Sequence, residues 1–495
     1  MSATESWDNC LLSRLKADSE RHSLGRQGHR RRSGKCLWTE RARPSKSLLL
    51  GVAAAFLALT VHAAMAQQPA TGQQPATGRP QATGQPPPSG QPPPTPHAPY
   101  YLGPPILDYG WTPGTSPDDT IEDIQEILAP HEGHLHLGPV ERPLSFLADQ
   151  FSALNEISGL QLAVSYTMPF QQASGGEGDR YGGAGDFRAM AVWRLVGRET
   201  KNTGEFIIAV QNNFGIGSQP PSALRASIGA LVGTVTTFND RGWVLRDAYW
   251  SQRLLDGKLR FMIGRADALE FIGSHWLESA SVSFMNRHFS DNPAVEAPGY
   301  GGMVGMSVRP NDKFYVTAGS ADAYGDTTQI NVSTIGEGAF FTFGEVGFTP
   351  TFAGHGAGRY AVGPWYISAR PKFGLPSDEG VTAVADQELS DRFQFFVRYG
   401  YDAQSLSGVH NLGQGGIGYR SLFTKNKSDL AGIAFSVGSS GIANLRSEKV
   451  LEMFYRWQAT KHGQLSVGLQ GIFDPTFAPR ASAVGVYWLR VRVAF

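Results

Sequence analysis

The chain has 495 residues with 43 basic and 43 acidic side chains, so no basic footprint marks it for nucleic acid. Charged residues make up only 17%, against 59 glycines and 11% aromatics, which suits many strands and tight turns better than helices. The two cysteines, Cys10 and Cys36, both precede the expected signal cleavage point, which excludes a disulfide framework or a cysteine metal site from the mature chain.

Residues 1–45 are basic and polar, with Arg30, Arg31 and Arg32 in a row. An apolar run, 48–64, follows Lys46 and ends in Ala64-Met65-Ala66, a small-x-small cleavage pattern. The pattern predicts a signal peptide with an extended basic start over 1–66, leaving Gln67 at the mature N-terminus. Residues 67–100 are rich in Pro and Gln, with QQPATG repeats and then two Pro-Pro-Pro blocks. Such a stretch buries no core and reads as a disordered linker, a spacer or a tether to peptidoglycan or a periplasmic partner.

Residues 101–158 read as a periplasmic segment carrying short helices. In 118–129 (DDTIEDIQEILA), Ile121, Ile124, Ile127 and Leu128 share one face and acids sit near the start. This helix is expected to pack against a neighbouring subunit or to dock under the rest of the fold. His131, His134 and His136 follow within six residues, but no second cluster completes a metal site, and none is expected. A second helix is predicted over 143–157, where Leu144, Leu147, Phe151 and Leu154 recur at helical spacing.

From Gly159 the hydrophobic period changes to two and stays so to Phe495. About sixteen strand candidates result, the first at 159–168 and the last at 483–495. In the last, Tyr487, Leu489, Val491, Val493 and Phe495 oppose Trp488, Arg490 and Arg492. Phe187, Trp193 and Leu195 likewise oppose Arg188 and Arg194, and Met453, Tyr455 and Trp457 oppose Glu452, Arg456 and Gln458. Faces rich in Arg and Gln argue for a wet interior, because a packed core would leave them unpaired. No stretch of the mature chain reaches the roughly 20 apolar residues of a membrane helix. A membrane protein built from such strands must close into a barrel, since only closure satisfies the backbone in lipid. The fold class expected is therefore all-β: a sixteen-stranded antiparallel transmembrane barrel over 159–495. Short connections (Asp256-Gly257, Pro310-Asn311-Asp312, 424–427, 461–463) alternate with long ones (169–185, 215–242, 267–299, 322–337), as in outer-membrane barrels.

Enzyme chemistry has little support. There is no G-x-S-x-G motif, and His288-Phe289-Ser290 is adjacency rather than a triad. No cofactor is expected.

The segment LRDAYWSQRLLDGKLRFMIGRADA (245–268) resembles the carbohydrate-selective porins of the OprB type. So do Gly358-Arg359-Tyr360 with Gly363-Pro364-Trp365-Tyr366, Ala385-Asp386-Gln387, Asp429-Leu430-Ala431-Gly432, Glu452 to Arg456, and the terminal Phe495. The resemblance spans about 159–495 and leaves out the linker and the His-rich loop. The turn before Asp429 departs from it, reading Thr-Lys-Asn-Lys in place of Gly-Arg-Pro, and an Ala/Gly-rich stretch at 226–233 reads as helical. The resemblance implies an outer-membrane pore passing monosaccharides by diffusion. Its partners would be outer-membrane lipid, small sugars, and the barrel-assembly machinery reading Phe495.

A sugar-selective pore needs charged or amide groups for hydroxyls and an aromatic for the ring face, at a narrow point. The loop 267–299 is the candidate constriction, offering Asp267, Glu270, His275, Trp276, Glu278, Asn286 and Arg287. Arg246, Arg265, Arg398, Glu452, Arg456, Arg490 and Arg492 are the candidates on the wall. Two other readings stay open. One is a general or anion-preferring porin. In the other, the barrel anchors a periplasmic tether, and the arginines only hydrate the lumen and pair with acids.

Overall fold

The computed structural model describes residues 120–129, 131–352 and 355–495. The predicted signal peptide, the linker and the start of the 101–158 segment lie outside these residues. Two helices lead in, α1 (Thr120–Leu128) and α2 (Gly138–Ser158). The strands are β1 (Leu160–Ala173), β2 (Tyr181–Val196), β3 (Gly204–Ile216), β4 (Gly242–Leu254), β5 (Leu259–Ala266), β6 (Gly301–Asn311), β7 (Phe314–Asp322) and β8 (Phe340–Phe348). They continue as β9 (Gly358–Ile367), β10 (Asp378–Glu388), β11 (Phe393–Asp402), β12 (Asn411–Arg420), β13 (Leu430–Ser439), β14 (Glu448–Gln458), β15 (Gly463–Phe473) and β16 (Ala483–Ala494). Two short helices sit in loops, α3 (Leu224–Ile228) and α4 (Arg287–Ser290).

Each strand pairs antiparallel with its neighbours in sequence, and β1 pairs with β16 from Ser165↔Ala494 to Ala173↔Val486. The sixteen strands thus form a closed barrel. Period-two alternation sorts the side chains. On β16, Tyr487 and Leu489 lie exposed on the outside, whereas Trp488, Arg490 and Arg492 are buried inside. Ile263, Val304, Val346 and Val467 continue the exposed apolar outer face on other strands. That face is the one a bilayer covers.

The longest connections fall at one end of the barrel as expected, but the alternation is not strict: β1–β2 (174–180) and β2–β3 (197–203) are joined by equal lengths, and the β12–β13 connection (421–429) is longer than those on either side of it. At the short end the β4–β5 turn spends Leu255, Asp256 and Gly257 at positive φ, a tight reversal that Gly257 at φ 82° accommodates without strain. Chain entry and exit lie at this same end, since α2 feeds β1 there and β16 ends there. At the long end, the β3–β4 loop (217–241) and the β5–β6 loop (267–300) are the largest.

Three details differ from expectation. First, β1 and β2 run well into the predicted 169–185 loop. Pro169 and the glycines at 182, 183 and 185 hide the alternation there. The β1–β2 ladder skips from Thr167↔Asp186 to Phe170↔Gly183, because Pro169 has no N–H to donate, yet the register is kept. Second, α2 begins at Gly138 rather than 143, with Pro139 in its first turn, where a missing N–H costs nothing. It stops at Gly159, φ 70°. Third, the 226–233 stretch is helical only within α3, which Gly229 (φ 67°) ends.

The placement of α1 corrects the expectation of docking underneath or on a neighbour: α1 lies inside the barrel. Ile121, Ile124 and Ile127 pack against inward-facing Ala163, Met190, Ile207 and Tyr249. Thr120 donates to Asp247 at 2.6 Å, and Asp123 pairs with Arg188 at 2.8 Å. At the other end of α1, Glu126 pairs with Arg492 at 2.8 Å.

Candidate functional site: a loop folded into the lumen

The β5–β6 loop has no strand ladder of its own, so its buried N–H and C=O groups need partners from elsewhere. The inward face of the barrel supplies them. Carboxylates accept the loop's N–H groups. Glu345 accepts from Gly273 (2.8 Å), Asp386 from Trp276 (3.1 Å), and Glu452 from Met285 and Asn286 (3.0 and 2.9 Å). Arginines donate to its carbonyls. Arg359 reaches Ser274 (3.0 Å), Arg456 reaches Val282 (3.1 Å), Arg490 reaches Ala280 and Ser283, and Arg398 reaches Phe289 (3.3 Å) and Asp291. Arg398 also pairs with the loop's Glu278 at 2.9 Å. Gln470 accepts from the Asn286 amide at 2.9 Å. The loop therefore lies across the lumen against β8 to β16, as an inward-folded constriction should. The β3–β4 loop covers it, with Gly233 accepting from Arg287 N–H at 3.0 Å and Glu448 accepting from Leu231 at 2.7 Å.

Most of the sequence-predicted residues prove to be parts of this clamp. Arg398 is 1% exposed and Glu452 is fully buried, its carboxylate also accepting from Trp488 Nε1 at 3.1 Å. Arg246 sits at a bulge, where Ala209 pairs with Asp247 and Val210 with Leu245. The extra residue turns two successive charges inward, and Arg246 pairs with Glu270 of the loop. Asp267 caps the turn after β5, accepting from Leu269 N–H at 3.1 Å. His275 is buried flat on Phe396, ring centroids 3.7 Å apart, with Nε2 2.7 Å from the Phe289 carbonyl. Burial, and then Arg398, hold its pKa well below the usual range, so the ring is neutral.

Arg265 is a correction. It pairs with Ala248 on the outward register, the face of Phe261 and Ile263. Its guanidinium donates to carbonyls of Leu245, Tyr300, Asp326, Thr327 and Gln329, so it ties loop ends together at the rim rather than lining the lumen. Inside the loop, from Phe271 to Val295, only Trp276 and Arg287 are not buried. The Arg287 side chain is 38% exposed and pairs with Asp291 at 2.9 Å.

The N-terminal residues meet the opposite end of the lumen. Burial would raise the Glu126 carboxyl, but Arg492, His131 and Arg456 outweigh it and hold it at about 2. The three histidines point apart. His131 contacts the Glu126 carbonyl (2.9 Å), while His134 meets Asp429 (2.8 Å), stacks near Trp457 and stays exposed, as does His136. Burial pushes Asp429 up, yet bonds from Gln458 N–H, Thr424, His134 and Tyr455 bring it below its ordinary value.

A closed sixteen-strand barrel, narrowed by a loop clamped across its lumen, is the architecture of a diffusion pore. The profile of the carbohydrate-selective porin family, OprB, matches residues 184–495, well over half of the chain. The chain belongs to this family. Among curated relatives, porin AaxA of Chlamydia trachomatis serovar D is 21% identical over 271 residues, 53% of this chain and 58% of the relative. Its serovar L2 counterpart is 22% identical over the same spans. The chain thus aligns with somewhat over half the length of the curated relatives it matches. The high-pH structure of Pseudomonas putida OprB is similar in fold, with a TM-score of 0.58 at 16% identity, over 74% of this chain and 99% of that one. The porin's family motifs acquire a physical role. Arg359 and Asp386 clasp the constriction loop at Ser274 and Trp276, and Glu452 and Arg456 clasp it at Met285 and Val282. Glu345, Gln470 and Glu448 complete the clamp and were missed. Inward alternation alone marked them, and it does not say which inward residues meet a loop.

Proposed function

We propose that this porin passes small carbohydrates, monosaccharides above all, by diffusion past the β5–β6 constriction. The observation that carries this reading is the exposure pattern of the clamped loop, which between Phe271 and Val295 leaves only Trp276 and Arg287 partly exposed among buried residues. An indole offers a sugar its apolar ring face, and a guanidinium donates to hydroxyls. The clamp holds both on a rigid support. The other inward arginines spend their donors on loop carbonyls and acids, which speaks against an open anion-selective lumen. Residues 1–66 act as a cleaved signal peptide in this reading. The linker extends into the periplasm toward peptidoglycan or a protein there, and Phe495 is the mark for the barrel-assembly machinery.

The test is flux. Residues 67–495 are refolded into liposomes, and swelling is compared for glucose, a disaccharide and an amino acid of similar size, with bilayer conductance measured with and without glucose. Faster hexose entry and a glucose block that Trp276→Ala weakens severalfold, with a higher open conductance, are expected. Flux ordered by solute size alone, with no glucose block, would reduce the protein to a general porin.

A further inference from the structure

The outer wall is hollowed over β12 to β14. On β12, β13 and β14, Tyr419, Ala431 and Tyr455 stand side by side on the outward face, one row in from the short turns. Ala431 contributes only a methyl group between two tyrosine rings, so the row sinks at its centre. The resulting trough, about 580 Å³, continues upward over Ile433 and Met453 and is apolar almost throughout. Its lower end is built by the β12–β13 turn, where Phe423 meets Tyr455 edge-on at 5.1 Å. The Tyr455 hydroxyl donates to Asp429 at 3.0 Å, which fixes that wall of the trough. Phe423 is 75% exposed beyond the strand ends, and the next residues of the turn are the exposed Lys425 and Lys427. Among the described residues Lys427 pairs with Asp391 at 3.5 Å, with both groups largely in solvent, a pair of little strength.

We propose that this trough is a fixed binding site for one anionic phospholipid of the periplasmic leaflet. An acyl chain lies against Ala431, Ile433 and Met453, and the phosphate meets Lys425 and Lys427. The inference rests on the outer-membrane placement of the barrel and not on which solute it carries. Position supports it, because the short turns and both ends of the barrel domain mark the periplasmic side. Size supports it, since single-ligand clefts run from about 300 to 1,000 Å³. Charge complementarity selects the occupant. Exposed lysines beside the membrane surface attract anionic headgroups, and the two tyrosines sit at the depth where aromatic rings line the interface. A second barrel seated here would instead have to desolvate both lysines. This assigns a role to the two exposed lysines of the Thr-Lys-Asn-Lys turn.

The full-length porin in mild detergent is offered equal amounts of phosphatidylglycerol and phosphatidylethanolamine and weighed by native mass spectrometry. One retained phospholipid per barrel, with phosphatidylglycerol preferred, is expected. Ala431→Trp fills the trough and loses it. The double change Lys425→Glu with Lys427→Glu lowers phosphatidylglycerol retention about tenfold and abolishes the preference. Val304→Trp, on β6 across the barrel, leaves retention unchanged. Should Ala431→Trp fail to fold, as read by heat-modifiable gel mobility, Ile433→Trp replaces it, and the double lysine variant on the exposed turn gives the same readout. Equal retention by wild type, Ala431→Trp and Val304→Trp would mean ordinary surrounding lipid and overturn the proposal. So would a lipid-free dimer or trimer that Ala431→Trp dissociates.

Discussion

Glu452, fully buried, accepts from two backbone N–H groups of the β5–β6 loop and from the Trp488 indole. Its removal leaves those donors buried without partners, at about 1–3 kcal/mol for each one stranded. Glu452→Ala is therefore expected to free the loop rather than unfold the barrel. Single-channel recording should show larger, noisier currents, with heat-modifiable gel mobility retained. Glu452→Gln keeps an acceptor oxygen and should fall between the two. Unchanged conductance in both variants would mean that the loop is held elsewhere. The inward placement of Arg398, Glu452, Arg456, Arg490 and Arg492 was legible in the sequence, because alternation alone decides which face a strand residue takes. Their partners were not. Arg490 meets Ser283 and Arg398 meets Asp291, contacts across more than a hundred residues that depend on a loop with no period of its own. Arg265 is a different case, because it shares its parity with Phe261 and Ile263, and alternation followed through β5 already places it outside the lumen. It lies one residue before the strand ends, where register still holds but the side chain serves the rim.

At the scale of elements, α1 combines a legible helix with an illegible position. Three isoleucines on one face announce something to pack against, and nothing in the pattern says whether that is a neighbour, the barrel's underside or its interior. Asp123, among the acids read as complements to the helix dipole, instead meets Arg188 on the inner wall, and Glu126 in the last turn meets Arg492. The helix occupies lumen near the short-turn end, so weakening it should widen the pore. Glu126→Gln and Ile124→Asp are both expected to raise bilayer conductance. The pH dependence follows from the lowered carboxyl of Glu126. A carboxylate held at about 2 contributes its full stabilisation above its ordinary pKa near 4.5 and loses it as pH falls toward 2. Conductance should stay flat from pH 8 to 5 and rise only on further acidification. In Glu126→Gln it should already be high and lack that acid-induced rise. A wild-type rise beginning near pH 7 would contradict this and implicate a histidine.

The described strands form a barrel whose apolar side faces outward, the inverse of a water-soluble core. Ile263, 56% exposed at the middle of β5, belongs to that outer band. Ile263→Arg should cost about 2–4 kcal/mol of folding stability in lipid if it lies near the midplane. A denaturant titration in vesicles checks this, and a loss below about 0.5 kcal/mol would place Ile263 outside the membrane. The strand count and the placing of the longest connections at one end were readable at this scale because the strand pattern repeats around the whole barrel, so that a single disguised strand such as β1 with Pro169 does little harm.

The first described helix and the last strand meet inside the barrel, through Glu126 and Arg492. That pair spans the seam where β1 and β16 join. In sequence α1 precedes every strand and β16 follows all the others, so the pair ties the two ends of the described fold together at closure. A slip of one residue at the seam would turn Arg492 toward lipid and leave Glu126 without its main partner. The ion pair thus acts as a proofreading contact. It rewards the one closing register in which the first described helix and the last strand recognise each other.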